Sequence, residues 1–199
     1  MIIVWTAAAF LAGSLMFSYW IGRLKQLNLK TYGDGNPGAI NLWKVAGYGY
    51  GLTGIVLDVL KGYLPMLWMQ HSGAVTGFGI IFPAGAAILG HMFSPFTGWK
   101  GGKAIAVTFG VWSGLTGFAA SLAYAIILAA LLLASRQLSK GRPTSPETDA
   151  FHVVLGMLLL SIYLVLDNYS WPYVLLGLVN FLLLAYSHRK ELIGVRDTN

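Results

Sequence analysis

Charged positions are so sparse along this chain that long apolar runs, and the short polar stretches between them, set its organisation. From Ile2 to Ile21 no formally charged residue occurs over 20 positions, enough helix at ~1.5 Å per residue to cross a hydrocarbon core of ~30 Å. No basic region precedes this run and no small-residue cleavage site follows it, so a retained span is expected rather than a removed signal peptide. Further apolar runs lie at Gly51 to Gln70, Val75 to Phe93, Ala104 to Ser135, Phe151 to Leu166 and Trp171 to Ser187. The run from Ala104 to Ser135 is too long for one ordinary crossing. It reads either as one tilted helix or as two short ones broken near Ser113-Gly114-Leu115-Thr116-Gly117.

Basic residues decide between these, because Lys and Arg accumulate in cytoplasmic loops. They fall into four groups: Arg23, Lys25, Lys30 and Lys44; Lys100 and Lys103; Arg136, Lys140 and Arg142; and Arg189, Lys190 and Arg196. If the ambiguous run crosses twice, all four groups share one face, whereas a single crossing exports the last two. The expectation is an all-α integral membrane protein of seven transmembrane helices, amino terminus outside and carboxyl terminus cytoplasmic, forming one polytopic domain over residues 1–199. Composition agrees, with 56% hydrophobic and only 10% charged residues, far below the ~25% charged of soluble domains. The net charge of +6 is then mostly a topology signal that also suits anionic lipid head groups, and nothing calls for nucleic acid. With no cysteine, thiol nucleophiles and thiolate metal sites are excluded, and four histidines without a carboxylate cluster at ligand spacing give no metal site.

In this topology the polar chemistry gathers on the cytoplasmic face. The stretch Gly33 to Lys44 reads "GDGNPGAINLWK", Gly90 to Lys103 reads "GHMFSPFTGWKGGK", and a terminal segment begins Ser187-His188-Arg189-Lys190-Glu191. Glycines free backbone N–H groups to converge on an anion. Lys100-Gly101-Gly102-Lys103 ahead of a helix therefore reads as a phosphate cradle, or equally as a membrane-boundary turn with snorkelling lysines. A nucleotide P-loop is not matched, since no Ser or Thr follows Lys103. Asp58 and Lys61, three apart on one helical face, are either a structural ion pair or a polar wall for a substrate.

Together these stretches resemble the bacterial integral-membrane glycerol-3-phosphate acyltransferases that use acyl-phosphate as donor. Gly13-Ser14, Gly35-Asn36-Pro37-Gly38-Ala39 with Asn41, Leu57-Asp58 with Lys61-Gly62, Gly90-His91 with Pro95, and Lys100-Gly101-Gly102-Lys103 occur in that family's order and spacing. The resemblance implies a multi-pass protein of the bacterial inner membrane making lysophosphatidic acid and inorganic phosphate from acyl-phosphate and glycerol 3-phosphate, the first acylation of phospholipid biosynthesis, with no cofactor. It implies Asp34, Asn36, Asn41, His91 and His188 at catalytic positions. Ser14, Gly35, Gly38, Lys44, Asp58, Lys61, Lys100, Gly101, Gly102 and Lys103 fall at substrate-binding ones. The acceptor phosphate is expected near Lys103 and the Gly101 and Gly102 amides, and the acyl chain in a groove between spans.

This chain departs from the family's pattern at Asp34 for a serine, Ile40 for a threonine, Lys44 for an arginine and Glu191 for an asparagine. An ionised carboxylate only accepts hydrogen bonds and repels phosphate, and lysine lacks the arginine fork. Either Asp34 pairs with Lys44 or another cation and the ordinary reaction is kept, or the acceptor has become a less anionic alcohol with Asp34 as base. A transporter or lipid-binding paralogue without chemistry is the reading from another functional class.

Overall fold

The computed structural model describes residues 1–194, so Arg196 lies outside the described residues. The helices are α1 (Ile2–Ser14), α2 (Phe17–Leu24), α3 (Ala39–Ala46), α4 (Tyr48–Ser72), α5 (Ile81–Met92), α6 (Ile105–Thr116), α7 (Ala119–Leu138), α8 (Pro146–Leu166), α9 (Trp171–Ser187) and the single-turn α10 (Arg189–Leu192). No strand occurs among the described residues. Five helical stretches among them are long and apolar enough to cross a membrane: Ile2–Leu24, Tyr48–Ser72, Gly77–Thr97, Ala119–Leu138 and Pro146–Leu166. Ile105–Thr116 and Trp171–Ser187 are apolar but shorter.

The long run after Ala104 is two helices, and the break falls where the glycine suggested. Gly117 and Phe118 both take left-handed backbone, with φ of 56° and 71°, and the chain reverses between α6 and α7. At 12 residues, α6 is only ~18 Å long. Its Val107, Thr108, Val111, Trp112 and Leu115 are buried, so protein rather than lipid covers most of it. Asn180 of α9 accepts from Trp112 Nε1 (3.0 Å) and donates to Thr108 Oγ1 (3.2 Å), which anchors α6 to α9 by a satisfied buried amide.

Small residues let the inner helices approach closely, the usual device where apolar burial gives no preference for protein over lipid. A side chain at Gly62 or Gly114 of α4 and α6 would strike the Val107 or Tyr63 carbonyl of the facing helix, and one at Gly13 or Gly90 would strike the Ala87 or Phe10 carbonyl across the α1–α5 contact.

The first apolar run departs from expectation. It is broken at Leu15-Met16, where Leu15 adopts φ −64° and ψ 115°, and neither residue is a helix breaker. A break within apolar surroundings strands carbonyl groups that lipid cannot satisfy. Here Ser94 Oγ donates to the Ser14 carbonyl at 2.7 Å and Lys61 Nζ donates to the Leu15 carbonyl. Lys61 Nζ also lies 2.8 Å from Asp58 Oδ1, and Ser18 Oγ of α2 donates to Asp58 Oδ2 at 2.9 Å. Asp58 and Lys61 are both buried. The ion pair is thus one side of a clasp whose other side is the α1–α2 break.

Removing one partner of such a pair leaves a buried charge uncompensated, at a cost of about 3–5 kcal/mol. Lys61→Met is therefore expected to lower the thermal stability of the detergent-solubilised protein markedly, and Asp58→Asn/Lys61→Met together to cost less than Lys61→Met alone. Melting curves of the two variants check this, and a double variant no better than the single one would contradict it.

Candidate functional site

The first polar loop is built around its own side chains. Gly33 and Gly35 have φ of 58° and 70°, and the Gly35 amide closes a turn onto the Tyr32 carbonyl at 2.9 Å. Asp34 Oδ1 accepts from the Asn36 amide (3.2 Å), and Asn36 Oδ1 accepts from the Gly38 amide (3.1 Å), two successive turns of the kind Asp and Asn favour. Asn41, buried in the first turn of α3, reaches back over this loop. Its Nδ2 donates at 2.9 Å to the Tyr32 carbonyl, to Asp34 Oδ1 and to the Asn36 carbonyl. An amide nitrogen has two protons, so three acceptors occupy it fully, and Asn41 serves as the clasp of the loop.

The second loop turns back over the end of α5. The Gly101 amide donates to the Met92 carbonyl and the Gly102 amide to the His91 carbonyl, each at 3.0 Å. The two amides expected to face an anion are instead spent on the last carbonyls of a helix, which have no partner within it. Here the glycines serve close approach: a Cβ at Gly101 would strike the His91 carbonyl, and one at Gly102 would strike the His91 ring. Asn36 Oδ1 lies 3.2 Å from that same Cβ position at Gly102, so His91, Asn36 and Gly102 meet. His91 is buried, and its Nδ1 has no hydrogen-bond partner. Lys30 Nζ, which the motifs did not single out, ties the first loop to the second through the Thr97 carbonyl at 2.7 Å.

Lys103 joins all three segments. Its Nζ lies 2.6 Å from Asp34 Oδ2 and 2.6 Å from Glu191 Oε1, and its carbonyl accepts from Ser187 Oγ at 3.1 Å. The cation that pairs with Asp34 is thus Lys103, and Lys44 is exposed. Two of the departures from the family's pattern, Asp34 and Glu191, converge on one lysine. Along the sequence Glu191 is only a departure, since nothing along the chain connects it with position 103. Burial pushes the Asp34 carboxyl up, but the hydrogen bond and charge of Lys103, then the Asn36 amide and Asn41, hold it below the usual value. Burial works against the Lys103 charge, and the bonds to Asp34 and Glu191 overcome that and raise it above the ordinary amine value.

His188, at the end of α9, is also buried, and burial lowers its pKa, with the Leu184 carbonyl acting the other way. Its Nδ1 lies 2.9 Å from both the Leu184 carbonyl and Ser187 Oγ. A carbonyl only accepts, which places the proton of the neutral ring on Nδ1 and the free lone pair on Nε2, an assignment from the hydrogen-bond network. The remaining candidates lie differently. Lys100 is exposed, and the Ser14 hydroxyl is spent on the Phe10 carbonyl at 2.7 Å. Asp58 and Lys61 are engaged in the clasp below the loops. An apolar groove lined by Leu122, Ile126 and Tyr163 sits near the far end of α7, away from this cluster.

Comparison with known proteins agrees with the motifs. Residues 3–197 match the family model described as glycerol-3-phosphate acyltransferase. The chain is 40% identical to glycerol-3-phosphate acyltransferase 1 of Thermotoga maritima over 187 residues, 92% of each chain. It is 29% identical to glycerol-3-phosphate acyltransferase of Streptococcus pneumoniae, over 98% of this chain and 90% of that one. It superposes on a crystal structure of PlsY (YgiH), an integral membrane glycerol 3-phosphate acyltransferase in its glycerol 3-phosphate form, with a TM-score of 0.83 at 26% identity, covering 98% of this chain and 94% of that one. The lysophosphatidic acid form of the same protein gives a TM-score of 0.81.

The directions of the two pKa shifts fix a pH window for the Asp34–Lys103 pair. A carboxyl depressed below its unfolded value of about 3.9 stabilises the fold above that pH and loses the contribution as pH falls through the folded value. A lysine raised above about 10.4 contributes below that pH and loses it as pH rises through the folded value. Asp34→Asn keeps the acceptor for Asn41 and removes the charge. The gap in melting temperature between the parent protein and Asp34→Asn is expected to stay level between about pH 5 and 9 and to shrink below about pH 4. A gap independent of acid pH would show that the carboxylate charge is not what holds Lys103.

Proposed function

This chain belongs to the glycerol-3-phosphate acyltransferase family, and we propose that it transfers an acyl group from acyl-phosphate to glycerol 3-phosphate, giving lysophosphatidic acid and inorganic phosphate. The observation that carries this reading is the convergence of three distant polar segments on Lys103, beside a buried His91 and His188. The reaction itself asks little of the protein. The acceptor hydroxyl oxygen attacks the carbonyl carbon of the mixed anhydride, its O–H bond breaks, and an ester C–O bond forms. The anhydride C–O bond breaks as phosphate departs with the electron pair. Because phosphate leaves readily, proximity, charge neutralisation and one proton acceptor suffice.

In this reading Lys103 holds the acceptor phosphate, and the exposed Lys44 and Lys100 add positive charge for two phosphorylated substrates. His188 Nε2, on a ring that burial keeps neutral, accepts the hydroxyl proton. His91 and Asn36, which meet at Gly102 where the two loops come together, orient the substrates there. Gly35, Gly38, Gly101 and Gly102 give those loops their shape, while Asn41 and Asp34 fasten them. Ser14, Asp58 and Lys61 support the wall beneath by holding the α1–α2 break in place. The acyl chain runs between helices, toward lipid.

The placement we propose is a single domain in the bacterial inner membrane with seven crossings, α6 and α9 among them, amino terminus outside and the three polar segments in the cytoplasm. It is supported by the alternation of helices and by Arg23, Lys25, Lys100, Lys103, Arg136, Lys140 and Arg189, which all follow or precede helix ends on one side of that alternation. Such a placement gives the enzyme a cytoplasmic phosphorylated acceptor and delivers its product into the bilayer, as the first acylation of phospholipid synthesis requires.

Purified protein in lipid, given acyl-phosphate and glycerol 3-phosphate, is expected to release phosphate and lysophosphatidic acid in equal amounts. Turnover only with a different alcohol, or none with any, would overturn the assignment. Lys103→Ala is expected to raise the KM for glycerol 3-phosphate at least tenfold, roughly the cost of one charge-assisted hydrogen bond. An unchanged KM would remove Lys103 from the acceptor site.

A further inference from the structure

We propose that Asp34 and Glu191 form a carboxylate clamp that competes with phosphate groups for Lys103, and so set how tightly that lysine holds any of them: the anionic acceptor, the lysophosphatidic acid it becomes, and free inorganic phosphate competing for the same place. The proposal deepens the reading above, since it rests on Lys103 as the acceptor-phosphate ligand.

The geometry is that of a competitor already in place. An ammonium group has three donors, and two of those of Lys103 are taken at 2.6 Å by carboxylates from opposite ends of the chain. The three side chains together carry one net negative charge. A dianionic phosphate approaching the third donor meets two like charges within reach of the lysine, so it binds well only where a carboxylate gives way. The two jaws differ in how they are held. Asp34 is fixed independently of the lysine, through the Asn36 amide and Asn41 Nδ2. Glu191 is joined to the site through Oε1 alone, and its Oε2 has no hydrogen-bond partner. The Glu191 side chain is more covered than that of Asp34, 15% against 40% exposed, yet it carries a buried carboxylate oxygen that nothing answers and sits on the single-turn α10, so it is the less fully satisfied jaw and the one that releases while Asp34 stays.

A tethered competitor lowers every phosphate affinity at that lysine by the same factor. The apparent dissociation constant is the intrinsic one divided by the fraction of sites with the lysine free, so a clamp closed about nine-tenths of the time weakens binding about tenfold. The factor applies alike to glycerol 3-phosphate entering, to the phosphate of lysophosphatidic acid after transfer, and to free inorganic phosphate that takes the acceptor's place. Because the phosphate on Lys103 leaves at each turnover as part of lysophosphatidic acid, the clamp trades acceptor affinity for easier release of that product.

The test is a set of variants assayed with acyl-phosphate and glycerol 3-phosphate in lipid, with inorganic phosphate added as inhibitor. In Asp34→Ser/Glu191→Asn, the KM for glycerol 3-phosphate and the inhibition constant of phosphate are expected to fall together, each by about tenfold. Glu191→Gln alone leaves the Asp34 loop intact and removes the releasing jaw, and it is expected to lower both constants in the same ratio by a smaller factor. A carboxylate that merely braced the fold would change kcat or stability and leave the two constants uncoupled. The proposal is overturned if both constants stay put or rise in Glu191→Gln while Lys103→Ala still raises the KM. If Lys103→Ala leaves the KM unchanged, the assignment of Lys103 fails, and the clamp fails with it.

Discussion

The rest of this fold depends on one constraint: a polar group placed among apolar surroundings has to be answered by protein, because lipid offers no hydrogen bond. The break at Leu15 makes the constraint visible. Two carbonyls are released there, and they are met by a serine from the turn after α5 and a lysine from the middle of α4. The lysine needs a counter-charge, Asp58 supplies it, and Ser18 of α2 satisfies the remaining carboxylate oxygen. Three spans are thereby fastened at one level, beneath the polar loops. The same requirement explains the Asn180 amide between α6 and α9, and the glycines that let helix backbones meet without a side chain between them.

Above that level the polar segments are organised chiefly by each other. Asn41 closes the first loop, the Gly101 and Gly102 amides dock the second on the end of α5, and Ser187 ties the third to Lys103. The three segments are thus fastened to one another above the level at which the spans are joined. The most consequential electrostatic feature is that the central lysine is doubly countered.

Several pieces of this arrangement were legible along the chain. Sparse charge and long apolar runs fix an all-helical membrane architecture, since a span is a matter of length and hydropathy that neighbours can only modify. The reversal between α6 and α7 is signalled by Gly117, because a left-handed turn is a local property of glycine. The motifs marked segments that the fold brings together at Lys103, and the short-range turns of Asp34 and Asn36 follow from side chains that bond their own backbone.

What only the tertiary structure decided are the pairings across distance. Nothing near Leu15 announces a break, because its stability comes from Lys61 and Ser94. Gly101 and Gly102 read as donors to an anion, yet their amides answer α5, because the carbonyls they meet are adjacent only after the chain has turned back. Asp58 and Lys61 read as a pair, but not as the cap of another helix. Asp34 and Glu191 read as two separate substitutions and are one interaction, since charge acts through space and Lys103 brings the two within 2.6 Å of the same nitrogen. Sequence determines which segments are apolar, where they turn and which groups carry charge. The fold decides which of those groups neutralise one another, because that depends on distances no local pattern contains.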